Sequence, residues 1–157
     1  MEKIAYWLNK ILEATLVILM SVLVIDVLWQ VISRYLLSSP SSFTDELAGF
    51  LLIWVGVLGA AYVAGRQEHL AIDILVQRSP PGRQRKLLFF IRSLIFLFAL
   101  FVMVIGGIVL MYTRFLLDVK SAALQLPLGY VYIVLPLSGL IIMFYEVVHL
   151  SELKKSR

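Results

Sequence analysis

The chain has 157 residues, 61% of them hydrophobic and 15% charged, with a mean hydropathy of +0.95. A water-soluble domain is about 45–50% apolar and about 25% charged, and a fold of this size has too little interior to hide the excess, so a soluble globular protein is excluded. The lack of cysteine excludes disulfides, thiolate nucleophiles, iron–sulfur clusters and Cys-based zinc sites, and a net charge of +4 on such a chain reports loop orientation rather than nucleic-acid binding.

The N-terminal stretch places Ile4, Trp7, Leu8, Ile11 and Leu12 at helical spacing, with Glu2, Lys3, Asn9, Lys10 and Glu13 elsewhere. That pattern predicts an amphipathic helix lying on the inner leaflet before the chain turns into the bilayer. A first membrane span follows over residues 14–34. Its apolar part resembles a signal-peptide core, but Asp26, Trp29 and Gln30 stand where a small-x-small cleavage site would be, so the N-terminus is expected to be retained. Asp26 lies about 18 Å into this span. Gln30, Ser33 and Arg34 follow at i+4, i+7 and i+8 on the same face. An intramembrane acid costs about 2.5–3.5 kcal/mol on insertion scales, so this face should avoid lipid. It reads as a polar seam against another helix or subunit. A proton or cation site is the competing reading, but such sites recruit several ligands and broken helices.

A second span covers residues 44–65. Ser42, Thr44, Asp45 and Glu46 open it with a capping-box-like spacing, and acids suit the positive helix end; the same cluster is also a candidate docking point for a soluble partner. Gly56, Ala60 and Ala64 recur at four-residue spacing, a face that allows close helix packing. Beyond the span, Ile72, Leu75 and Val76 predict a second interfacial helix, ended by Pro80, Pro81 and Gly82. His69 and Asp73 sit at i and i+4 on it, a spacing for a surface hydrogen bond or ion pair; a metal would need further ligands.

The third span, residues 88–112, holds Arg92 about 8 Å from its cytoplasmic end and has Gly106 and Gly107 as kink or close-contact sites. The fourth, residues 127–149, contains Pro136 and brings Glu146 to the depth of Arg92. The two either pair, or Arg92 snorkels to the inner headgroups. His149 has no second histidine at midplane depth, which argues against a bis-histidine haem.

Lys3, Lys10, Arg66, Arg78, Arg83, Arg85, Lys86, Lys154, Lys155 and Arg157 gather on one side, against Arg34, Arg114 and Lys120 on the other. The positive-inside rule then puts both termini in the cytoplasm. Trp7, Arg83, Arg85, Lys86 and Arg92 are the expected inner-leaflet anchors. The expected fold is an all-α integral membrane protein with four transmembrane helices and short interfacial helices, one domain over residues 1–157.

Arg34-Tyr35, then Ser41-Ser42-Phe43-Thr44-Asp45-Glu46-Leu47, Trp54, Gly59-Ala60-Ala61 and Glu68-His69-Leu70-Ala71-Ile72-Asp73 resemble the signature of the small membrane subunit of TRAP transporters, the tripartite ATP-independent periplasmic transporters of bacteria and archaea. The stretch Ser121-Ala122-Ala123-Leu124-Gln125-Leu126-Pro127, followed by Tyr132, Pro136, Leu137, Ser138 and Gly139, matches in kind and spacing. The family often has an aromatic residue before the acidic pair, and Phe43 fills that place one position early.

The resemblance implies a bacterial inner-membrane protein that is not an enzyme and carries no cofactor. Its implied partners are a large TRAP membrane subunit, a periplasmic substrate-binding protein and membrane lipids, with no nucleic acid. In such systems the large subunit carries the substrate and sodium sites, and an organic acid is a common cargo. Asp26, Gln30, Ser33, Gly56 and Ala60 are then candidates for the large-subunit interface. Arg34, Ser41, Asp45 and Glu46 are candidates for docking the binding protein. The alternatives are a stand-alone four-helix proton-coupled transporter using Asp26, and a membrane anchor for a redox enzyme.

Overall fold

The computed structural model describes residues 2–36, 42–66 and 80–155. The elements in chain order are α1 (Glu2–Tyr35), α2 (Ser42–Arg66), α3 (Pro81–Phe98), a π-helical stretch (Ala99–Gly106), α4 (Gly107–Leu116), α5 (Leu128–Tyr132) and α6 (Val134–Lys155). Among the described residues the one strand-like feature is an isolated antiparallel bridge between Lys120 and Pro127. Four helical runs, Lys3–Tyr35, Ser42–Arg66, Arg83–Leu116 and Leu128–Ser151, are long and apolar enough to cross a membrane. Three of their hydroxyls are satisfied locally, as a bilayer favours: Ser21, Ser93 and Thr113 each donate to the carbonyl four residues back, at 2.7–2.8 Å.

α1 departs from expectation. The amphipathic N-terminal stretch does not turn away from the first span but continues it as one helix of 34 residues. The reason is local: between Glu2 and Tyr35 there is neither glycine nor proline to break the hydrogen-bond ladder. At 1.5 Å per residue the helix is about 51 Å long, well beyond a hydrocarbon core of about 30 Å. The second expected interfacial helix, with His69 and Asp73, lies outside the described residues, as does Ser41.

Proline shapes the other boundaries. Pro81 opens α3, where a missing amide N–H costs nothing, and the carbonyl of Pro80 accepts from Arg83 N–H at 2.8 Å. Pro136 has no N–H to offer the carbonyl of Tyr132, so the last span steps at Ile133 between α5 and α6. Gly106 and Gly107 keep right-handed helical backbone, with φ of −62° and −64°. They close the π-helical stretch, and a Cβ on Gly107 would lie 2.9 Å from Pro136 Cδ, so a close approach of the third and fourth spans is what this glycine serves.

α2 lies at the centre of the packing. One cluster joins Leu12 of α1, Leu58 of α2, and Val134 and Tyr145 of α6. A second joins Ala61 and Ala64 of α2, Ala99 of the π stretch and Ile142 of α6. Small residues in the second cluster let three backbones approach closely. Many large apolar side chains, among them Ile18, Ile25, Phe90 and Phe101, point outward, as lipid-facing residues should.

Candidate functional site

Both ends of the bundle carry a polar cluster, and an apolar groove lies between them. At the end bearing the loop between α4 and α5, the polar face of α1 meets α2. Asp26 and Ser33 are buried, and Gln30 Nε2 donates to Asp45 Oδ1 at 2.8 Å. Ser33 Oγ donates back to the carbonyl of Gln30 at 2.9 Å. Asp26 Oδ2 makes no hydrogen bond among the described residues. This is the expected polar seam, but it closes inside the chain, α1 against α2. Asp26 and Ser33, expected toward a larger subunit, are covered by their own molecule because α1 and α2 pack antiparallel along this face. Arg34 is exposed at the end of α1, and Asp45 is exposed apart from its bond to Gln30.

Glu46, the other candidate docking acid, is engaged within the chain. Its carboxylate does not stand free at the surface but accepts the amide N–H groups of Ala122 (2.8 Å), Ala123 (3.0 Å) and Leu124 (2.8 Å). The Ser121 side chain also hydrogen-bonds it. Consecutive amides of a tight turn form a concave anion nest, and here the chain fills that nest itself. The turn closes through Ser121 N–H to the Leu126 carbonyl at 2.9 Å and Gln125 Nε2 to the Ala122 carbonyl at 3.0 Å. Trp54 adds a second tie from α2, its indole N–H donating to the Val131 carbonyl of α5 at 3.0 Å.

At the opposite, basic end, Arg92 requires a correction. Its guanidinium turns inward, with Nη1 3.9 Å from Glu146 Oε2, and its side chain is 14% exposed against 3% for Glu146. An acid already buried on α6 draws the guanidinium in, because leaving either charge alone in a low-dielectric interior costs more than pairing them. Arg92 is therefore an internal link between α3 and α6, not a headgroup anchor. Trp7, Arg83, Arg85 and Lys86 are exposed. Beside the pair, Tyr145 is fully buried and donates its hydroxyl to Asn9 Oδ1 at 2.6 Å, while His149 stacks on its ring at 6.5 Å between centroids. Sequence reasoning missed Asn9 and Tyr145. The signal was a lone amide at an inward position of an otherwise apolar helix face. Among the described residues no group of three or more His, Cys, Asp or Glu is arranged to hold a metal ion.

Gly56 and Ala60 lie on a different surface, an apolar groove of about 530 Å³ walled by Ile95, Phe98 and Val102 on one side and Leu135 and Ile142 on the other. A Cβ at Gly56 would meet nothing within 4 Å, so the groove floor is open. Gly56 and Ala60, predicted for the large-subunit interface, are thus on the exterior, while Asp26 and Ser33, predicted beside them, are inside and Gln30 is half-buried.

Comparison with known proteins places residues 23–155 on the family model of tripartite ATP-independent periplasmic transporters, DctQ component. The chain is 28% identical over 144 residues to a Haemophilus influenzae protein named as a TRAP transporter small permease protein, covering 90% of this chain and 86% of that protein. It is 33% identical over 73 residues to the sialic acid TRAP transporter small permease protein SiaQ of Vibrio cholerae, covering 46% of this chain and 42% of SiaQ. It is 34% identical over 67 residues to the sialic acid TRAP transporter permease protein SiaT of Haemophilus influenzae, covering 43% of this chain and 11% of SiaT.

Proposed function

The chain belongs to the DctQ family of tripartite ATP-independent periplasmic transporters, a multi-pass membrane subunit of the bacterial inner membrane, and from that membership we propose that it is the stationary scaffold of its transporter. In this reading it packs against the large permease subunit, and its loop end faces the periplasm and helps dock the substrate-binding protein. Transport is sodium-coupled and the cargo is an organic acid. The two relatives named for sialic acid support that cargo class.

The observation that carries the reading is how the chain distributes its polar groups. Asp26, Ser33, Glu146 and His149 are all buried against its own helices, and the exterior of the spans is largely apolar and includes an open groove at Gly56 and Ala60. A stand-alone transporter must expose a polar site to a path through the membrane. A scaffold needs only to hold its shape and offer apolar surface. The match to 11% of a much longer permease supports the same picture, since there a region like this one is built into the larger protein.

Ala60→Leu fills the groove floor and is expected to lower co-purification with the large subunit while the variant still inserts and folds. Undiminished co-purification counts against the groove as the interface. The chain alone in liposomes is expected to pass neither protons nor solute; flux without a second subunit would replace the scaffold with the Asp26-coupled transporter.

A further inference from the structure

Glu46 stands at the start of α2, and the three amides that fill its carboxylate come from 76 to 78 residues further along the chain. The loop they belong to has two non-glycine residues with left-handed backbone, Asp118 at φ 44° and Gln125 at φ 55°. Such conformations persist only where surrounding contacts over-determine them. The internal bonds of the turn and the bridge from Lys120 to Pro127 shape it, but they do not tie it to the second span. Glu46 makes that tie. The turn therefore has two sides: its amides face Glu46, while Ala122, Ala123, Gln125 and Leu126 are exposed.

We propose that Glu46 is a positioning residue for docking: it does not touch the binding protein, but holds residues 121–126 in the one conformation whose exposed side the binding protein meets. This rests on the docking reading above. A loop ordered beforehand spares the complex the conformational entropy of ordering it on contact. A carboxylate suits the task because it has acceptors only, two oxygens for three donors. A glutamine at this place keeps one acceptor oxygen and turns a donor NH2 toward the remaining amide.

The test is a titration of the two-subunit complex in lipid nanodiscs with its own binding protein. Glu46→Gln is expected to raise the half-saturating concentration about tenfold, the scale of one lost interface contact, with the plateau unchanged. Ala123→Cys, in a chain with no native cysteine, is expected to react faster with a water-soluble maleimide once Glu46→Gln is added. An unchanged midpoint for Glu46→Gln, where Arg34→Glu does raise it, overturns the role of Glu46 and leaves docking standing. Unchanged midpoints in both overturn docking itself. A lowered plateau at an unchanged midpoint makes Glu46 a folding residue and also overturns the proposal. If Glu46→Gln fails to assemble, Glu46→Asp, which keeps the charge on a shorter arm, is read the same way with a smaller rise expected.

Discussion

Gly65 shows how finely single residues set this packing. A Cβ there would lie 2.5 Å from Asn9 Oδ1 and 2.7 Å from Tyr145 Cζ, so the buried hydroxyl–amide bond between α1 and α6 exists only because α2 has no side chain at this point. Gly65→Ala is expected to destabilise the protein by about 1–3 kcal/mol, the usual cost of overpacking a filled site. Gly59→Ala is the control: with nothing within 4 Å of its Cβ it should stay within about 0.5 kcal/mol of wild type. Thermal unfolding of the two variants in the same detergent checks both statements.

At the scale of elements, the third and fourth spans are held by two different devices. Near Gly107 and Pro136 they touch backbone to ring, and near the basic end the Arg92–Glu146 pair spans the gap between them. Breaking the pair on one side strands a buried charge. Arg92→Leu alone is expected to cost about 3–5 kcal/mol, and Arg92→Leu with Glu146→Leu to recover most of that loss, since an apolar pair of similar volume replaces a buried ion pair at little net cost. A double-mutant cycle on unfolding temperature reads the coupling. Additive losses would show that the pair contributes little. α1 has a different anchor. Its long N-terminal end is docked on the bundle by Leu12 and Asn9 and continues the first span as one unbroken helix.

At the scale of the whole molecule, large apolar side chains cover the outside of the spans, and the interior combines an apolar core with buried polar groups such as Asp26, Ser33, Glu146 and His149. This separates two mutations that look alike on a helical wheel. Asp26→Leu removes an interior carboxylate with an unbonded oxygen and is expected to leave co-purification with the large subunit unchanged, with neutral or raised stability. Ala60→Leu alters only the exterior and is expected to lower co-purification with stability unchanged. Measuring both in one pull-down and one unfolding series checks the division. Loss of the complex on Asp26→Leu would mean that the seam between α1 and α2 is remodelled when the partner binds.

Four spans, a fold without strands among the described residues, the common level of Arg92 and Glu146, and the family itself were legible in the residues alone. Length and hydropathy decide how often a chain crosses a bilayer, and helical periodicity decides which residues share a face. Periodicity does not say what a face meets. In water an apolar face turns inward; in a bilayer lipid is as apolar as a protein core, so nothing in the pattern separates interior from exterior. Only the packing of α1, α2, α3 and α6 settled that Asp26 and Ser33 are inside, that Gly56 and Ala60 are outside, and that Arg92 turns to Glu146 rather than to the headgroups. The tie between Glu46 and the amides of residues 122–124 was equally hidden, because backbone donors are the same in every sequence and their convergence on one carboxylate is decided by where the chain brings them.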